Sequence, residues 1–338
     1  MTTSRPVHAR HGTHDPRTGT PAGRPLSVRR TTSLDQIRPD GVLGPLQLRG
    51  TASDLRTGSD GSSHLLGRAA LEVDVDFMQG RLITALCSAP VRPALQALVG
   101  ASAATGFRAR VDAAVPQERA DQSLLYQLLD DVPVATLVSG YAVGAAGVAN
   151  VAPRIGHIVA ADICAGWQTG GTIMLGMVQV GGPPTVTGPA EPTPDRDHDD
   201  APTWLVDGTV PPHTMRRLRR TDVWWEGSSV RASSWFRDSH TAGDGHTTVI
   251  HEYDVELTVT PGSWQVTSCV ATARVLPWVE CPAAVGSAGR LVGQTLADLR
   301  AHVRSEFTGT STCTHLNDQL RSLADVPRLA AALPAGPL

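Results

Sequence analysis

The sequence predicts an α+β protein. It reads as two tandem, diverged copies of one unit, each an antiparallel sheet packed by one or two C-terminal helices, so that the pair mimics a dimer. Three observations carry this expectation. A strand-turn-strand pattern occurs twice, at Leu71–Cys87 and Tyr253–Cys269. A Leu-Val-Gly tripeptide follows each, at 98–100 and 291–293. A leucine-rich segment running into Asp-Val-Pro closes each copy, at 131–133 and 325–327.

In chain order, residues 1–27 are polar, lack the apolar core of a secretory signal, and read as a tail. The first copy spans 28–180 and opens on Arg29-Arg30-Thr31, as the second opens on Arg219-Arg220-Thr221. Leu71–Cys87 alternates apolar and polar residues on either side of Gly80, the pattern of a hairpin with one buried face. Matched without a gap to Tyr253–Cys269, it sets Val73 on Val255, Gly80 on Gly262 and Cys87 on Cys269. Arg108-Ala109-Arg110-Val111 then matches Arg300-Ala301-His302-Val303. Residues 181–200, rich in Pro, Gly and acid, bury too little apolar surface to order themselves and read as a linker. The second copy spans 201–327. Leu316, Leu320 and Leu323 recur at helical spacing on one face, with Thr312 or Thr314 as the cap. Residues 328–338 form a second tail.

Composition narrows the function. Hydrophobic residues make up 41% of the chain and charged residues 18%, enough for a buried core. A net charge of −3 and a pI near 6.4 argue against a phosphate-binding surface, so no nucleic-acid partner is expected. The most apolar stretch, Val132–Val151, is broken by Pro133 and several glycines, so no membrane span is expected. Five cysteines without a CxxC pair read as free thiols in a reducing cytoplasm. The phosphate loop, the dinucleotide-binding glycine pattern, the nucleophile elbow and the HExxH helix are all missing, so the chemistries they support are disfavoured.

The second copy concentrates the chemistry-bearing residues. Five of the seven tryptophans lie between Trp224 and Trp278, and the copy's polar residues come in groups. Strand alternation puts His251 and Tyr253 in phase with Val255 and Leu257, at the open end of the core. A histidine there suits a general base, with Asp238 to orient it. Cys313 and His315 stand two apart at a helix start and can act in three ways. The helix end can favour a thiolate nucleophile, both residues can ligate a metal with Cys281, His251 or Asp238, or both can serve the core. Arg220 suits an anion anchor, while Trp235, Tyr253 and Cys281 complete a substrate wall. Asp162–Trp167 joins an acid, a thiol and an aromatic in a connector.

Cys313-Thr314-His315-Leu316, with Leu276-Pro277…Glu280-Cys281-Pro282, Leu291-Val292-Gly293 and Arg219–Asp222 before it, resembles a bacterial domain-of-unknown-function family marked by a C-terminal Cys-Thr-His-Leu signature. The resemblance covers about residues 213–327 and brings no activity with it. The first copy has Ser123-Leu124-Leu125 where that signature would fall. The expected function is a cofactor-independent enzyme acting on a small, partly apolar or aromatic ligand. His251, Asp238, His315 and Cys313 are the catalytic candidates. Arg220, Trp235, Tyr253 and Cys281 are the binding candidates, and neither a resident metal nor another cofactor is assigned. A binding or assembly protein, and a metalloprotein with Cys, His and Asp ligands, are the alternatives.

Overall fold

The computed structural model describes residues 13–19, 23–148, 161–180, 184–192 and 210–334. The strands are β1 (Thr13–His14), β2 (Ser27–Ile37), β3 (Leu46–Thr57), β4 (Ser63–Asp76), β5 (Leu82–Ala89), β6 (Thr214–Glu226), β7 (Ser229–Thr241), β8 (Thr247–Thr260) and β9 (Gln265–Leu276). The helices of the first half are α1 (Phe107–Ala114), α2 (Pro116–Ala120), α3 (Leu124–Val138) and α4 (Gly140–Ala145). Then come α5 (Thr172–Val180), α6 (Leu299–Glu306), α7 (Thr314–Ser322) and α8 (Val326–Ala330). The fold is α+β, as expected.

Among the described residues the strands form one antiparallel sheet in the order β1-β9-β8-β7-β6-β2-β3-β4-β5. The sequence suggests two sheets. They are one because β2 and β6, the first strand of each meander, pair along ten residues. That pairing satisfies backbone groups that each unit would otherwise leave open at an edge.

Cross-strand neighbours share a face. One face carries Leu34, Leu48, Leu71 and Val73 in the first half, and Phe236, Tyr253, Val255 and Leu257 in the second. The helices pack here. A Cβ on Gly50 would stand 3.1 Å from the side chains of both Leu34 and Leu128, so the glycine lets α3 lie close without displacing those leucine ends. In α7, Leu316 and Leu320 are buried as their spacing predicts. The cap differs: Cys313 holds the N-cap position without a side-chain bond, and the Thr312 hydroxyl donates to the Gly309 carbonyl instead.

Ordered structure extends into the segments read as tails and linker. Within the predicted tail, His14 and Thr13 pair with β9, and Arg17 donates to Asp254 across 2.8 Å. Within the predicted linker, residues 184–192 run along β8, where Val249 N–H donates to the Pro189 carbonyl and Val186 is buried. The rest of the linker lies outside the described residues. In the predicted C-terminal tail, Leu329 and Ala330 are buried. The gapless hairpin match also slips. Asp76 and Leu82 bracket one turn and Thr260 and Gln265 the other, which makes the second turn a residue shorter. Each hairpin bulges at one threonine, Thr84 and Thr267, whose hydroxyls donate to Asp74 and Thr258 carbonyls. Cys87 and Cys269 are therefore out of step, one exposed and the other 3% exposed.

The two halves share finer geometry. Gly100 and Gly293, each ending Leu-Val-Gly, have φ of 84° and 89° and donate to the Ile83 and Val266 carbonyls at 2.8 Å. Asp54 on β3 and Asp238 on β7 each stand immediately before a bulge. Each accepts a two-pronged bond from the arginine directly across the ladder, Arg30 or Arg217, at 2.8–2.9 Å.

Candidate functional site

Strand alternation sends Arg217, Asp238 and His251 to the helix-covered face, on three adjacent strands. The α7 helix brings His315 over them. The His251 and His315 rings stack with centroids 3.5 Å apart and planes at 16°. His315 Nε2 lies 3.7 Å from Asp238 Oδ2. One ligand-capable atom from each of Asp238, His251 and His315 falls within 4.8 Å of the other two.

The surroundings set the charge states. Burial pushes His315 down to about 3, and the Arg217 cation adds to the effect. Burial also lowers His251 well below the usual imidazole range, with His315 and Arg217 contributing and Asp238 opposing. Two imidazoles stacked this closely resist carrying charge together, since a second charge at this distance would repel the first. Nδ1 of His251 and Nε2 of His315 are buried without a hydrogen-bond partner. Each such atom costs about 1–3 kcal/mol if it stays unsatisfied.

Asp238 is fully buried and held by the Arg217 fork. Burial lowers the Arg217 guanidinium, but Asp238, Asp131 and Asp318 together raise it above the usual arginine range. A carboxylate oxygen has two acceptor sites, so the fork leaves Asp238 able to bind a further group. Behind it lies a continuous ion-pair chain. Arg219 donates to Asp131 at 2.6 Å, and Arg108 bridges Asp318 and Asp130. Asp130 also takes Arg321, and lies 3.7 Å from Arg300. Arg300 and Arg30 then share Asp325. Asp131 reaches from the first half to Arg217 and Arg219 in the second, while Asp325 reaches back to Arg30. The chain thus stitches helices to sheet and half to half.

The structure brings together only part of the predicted site. His251, Asp238 and His315 converge. Cys313 sits in the core beside the Tyr253 hydroxyl. Burial pushes Cys313 up to about 11, so it is a thiol rather than the nucleophile its helix-end position suggests. Cys281 lies in the same core, and burial raises it well above the ordinary thiol range. Tyr253 is fully buried, not at the core's open end. Cys164, from the Asp162–Trp167 connector, is buried near both thiols, and Asp162 accepts from Thr169. Arg220 and Trp235 point to the opposite face of the sheet, away from the histidines. Sequence reasoning missed Arg217, which sits mid-strand in a run of four arginines between positions 216 and 220. Alternation splits such a run between two faces but does not say which face is covered.

Among the described residues no helix is long and apolar enough to cross a membrane. No curated protein and no solved structure matches the chain. Residues 215–328, the segment that carries Arg217, Asp238, His251 and His315, match the family described as Protein of unknown function (DUF2889).

Proposed function

We propose that the chain is a metalloprotein whose second half binds a divalent first-row transition metal through Asp238, His251 and His315. The observation that carries this reading is that one ligand-capable atom of each of Asp238, His251 and His315 lies within 4.8 Å of the other two, while each histidine also buries a nitrogen without a partner. Two imidazoles and one carboxylate suit zinc, iron, cobalt or manganese. Arg217 would hold the carboxylate in place, as outer groups do at such centres. Arg217, Arg219 and Arg108 face Asp131, Asp238 and Asp318, so the charge behind the site is close to balanced. His251 and His315 are partly exposed as residues, although their unpartnered nitrogens are buried. A metal there would polarise or activate a small, partly apolar ligand.

The same reading takes the chain as a duplicated pseudo-dimer from a bacterial cytoplasm, in the family of the Cys-Thr-His-Leu signature. Matching bulges, the paired Leu-Val-Gly turns and the Arg30–Asp54 and Arg217–Asp238 pairs support duplication. In that register Gly67 stands opposite Asp54 as His251 stands opposite Asp238. The arginine–aspartate pair is then the shared framework, and the imidazoles are what the second half adds. Five free cysteines support a reducing compartment.

The test is titration of the chelated full chain with Co²⁺ and Zn²⁺, read by the cobalt visible spectrum and by calorimetry. One metal per chain should bind to the wild type, and His315→Ala and His251→Ala should each lose it. Equal binding in wild type and both variants, or no binding at all, overturns the reading. A second reading, general acid–base catalysis without metal, rests on the two imidazoles being neutral at pH 7. It is favoured if the chelated protein turns over a substrate that His251→Ala does not.

A further inference from the structure

The proposed metal ligands are divided between two layers. Asp238 and His251 stand on β7 and β8, and His315 stands on α7. A site split between helix and sheet keeps its geometry only while the two stay in register. In α7, Asp318 comes three residues after His315, on the same side of the helix. Its two oxygens face different halves of the chain. Oδ2 accepts from Arg217 Nη1 at 3.2 Å, and Oδ1 accepts from Arg108 Nη2 at 3.3 Å.

Arg217 touches both layers at once. Its Nε and Nη2 fork onto Asp238 at 2.9 Å and 2.8 Å, and its Nη1 is the nitrogen that reaches Asp318. A guanidinium is rigid and planar, so it fixes the spacing between the two carboxylates. The Phe236 ring lies 4.9 Å from the Arg217 guanidinium carbon. Two residues along β6, Arg219 donates to the Asp318 carbonyl at 3.1 Å and to Ser322 Oγ at 3.4 Å, a second hold on α7. The first half supplies the counterparts. Asp131 on α3 accepts from Arg219 at 2.6 Å and lies 3.7 Å from Arg217. Arg108 on α1 is bound to the Asp130 carboxylate and carbonyl at 2.8 Å and extends from there to Asp318. Without Arg108, the Asp318 carboxylate would draw on Arg217 in competition with Asp238.

We propose that the half without metal ligands controls the metal centre, with Arg108 as a positioning residue that holds His315 in place through Asp318. This rests on the metal reading above. Electrostatics alone predicts the opposite sign for its loss. Taking a cation away from behind the site makes the site more negative, which by Coulomb attraction would tighten a divalent ion. Loss of position weakens the ion instead, because a shifted α7 carries His315 away from Asp238 and His251. Outer groups at metal centres typically set affinity by about 10–100-fold.

The experiment titrates Co²⁺ into the chelated full chain, read by the visible spectrum, for the wild type, Arg108→Met, Arg108→Lys and Arg300→Met. Arg300 is the control. It is buried in the same ion-pair chain, but its side chain meets Asp325 and Asp130 rather than Asp318. Arg108→Met should bind cobalt about tenfold more weakly and with an altered spectrum. Arg108→Lys keeps the charge and should recover part of the loss, and Arg300→Met should bind like the wild type. The proposal is overturned if Arg108→Met binds cobalt as tightly as the wild type or more tightly, or if Arg300→Met weakens it as much. A wild type that binds no cobalt refutes the metal reading itself, whereas equal binding by wild type and Arg108→Met refutes the positioning role alone. Should Arg108→Met fail to fold, Arg108→Gln carries the same comparison.

Discussion

The Arg217–Asp238 pair offers a sharp test of what holds the two layers together. Both side chains are 0% exposed, and the fork spans 2.8–2.9 Å. Arg217→Met leaves Asp238 buried with its only fork donor gone. Removing one partner of such a pair costs about 3–5 kcal/mol, so this variant belongs near the upper end. Asp238→Val leaves Arg217 with Asp318 at 3.2 Å and Asp131 at 3.7 Å, so its cost belongs nearer ~3 kcal/mol. The double variant removes one charge of each sign. Asp131 keeps Arg219 and Asp318 keeps Arg108, so no new orphan is created. It should fall within about 2 kcal/mol of the wild type. Urea unfolding of the four proteins, followed by circular dichroism and fluorescence together, measures the coupling. A double variant destabilised by the sum of the two singles would refute the reasoning.

Three further outcomes follow from the same physics. His240 is buried edge-on to Tyr141, and burial with nearby His213 lowers it to about 4. A lowered folded value means that its contribution is present above pH 6.5 and is lost as pH falls. Between pH 6.5 and 4.5 the loss should reach ~2 kcal/mol, and His240→Gln should remove that share of the slope in urea midpoints taken across the range. Leu320→Ala, in a fully buried α7 position, should cost about 2–5 kcal/mol by thermal or urea unfolding, and under ~1 kcal/mol would show that α7 does not seal the core. Asp54→Val should cost less than Asp238→Val in the same urea assay, since the Asp54 side chain is 14% exposed and Asp238 is fully buried.

Much of this molecule was legible in local pattern. Alternation along Tyr253–Cys269 placed Val255 and Leu257 in the core and His251 in phase with them. The Leu316, Leu320 and Leu323 spacing marked the buried side of α7, and the paired tripeptides marked turns that share a left-handed glycine. These signals are readable because helix and strand periods act over a few residues. Likewise, His251 stood out as a candidate base in phase with the core, Asp238 as its partner and His315 by its place at a helix start.

What the chain's order could not decide was which faces and edges meet. Periodicity divides Arg216 to Arg220 between two sides of β6, yet only the β2–β6 seam and the helices above it make one side a buried ion-pair chain and leave Arg220 on the other. The recurrence of Asp-Val-Pro was visible, but not that Asp131 and Asp325 each cross to the opposite half. Cys313 and Tyr253 were read as site residues, and packing puts them in the dry core. Composition and spacing determine local form. Long-range pairing decides solvent access and charge partners, and with them the chemistry, because desolvation and Coulomb terms depend on neighbours distant in sequence.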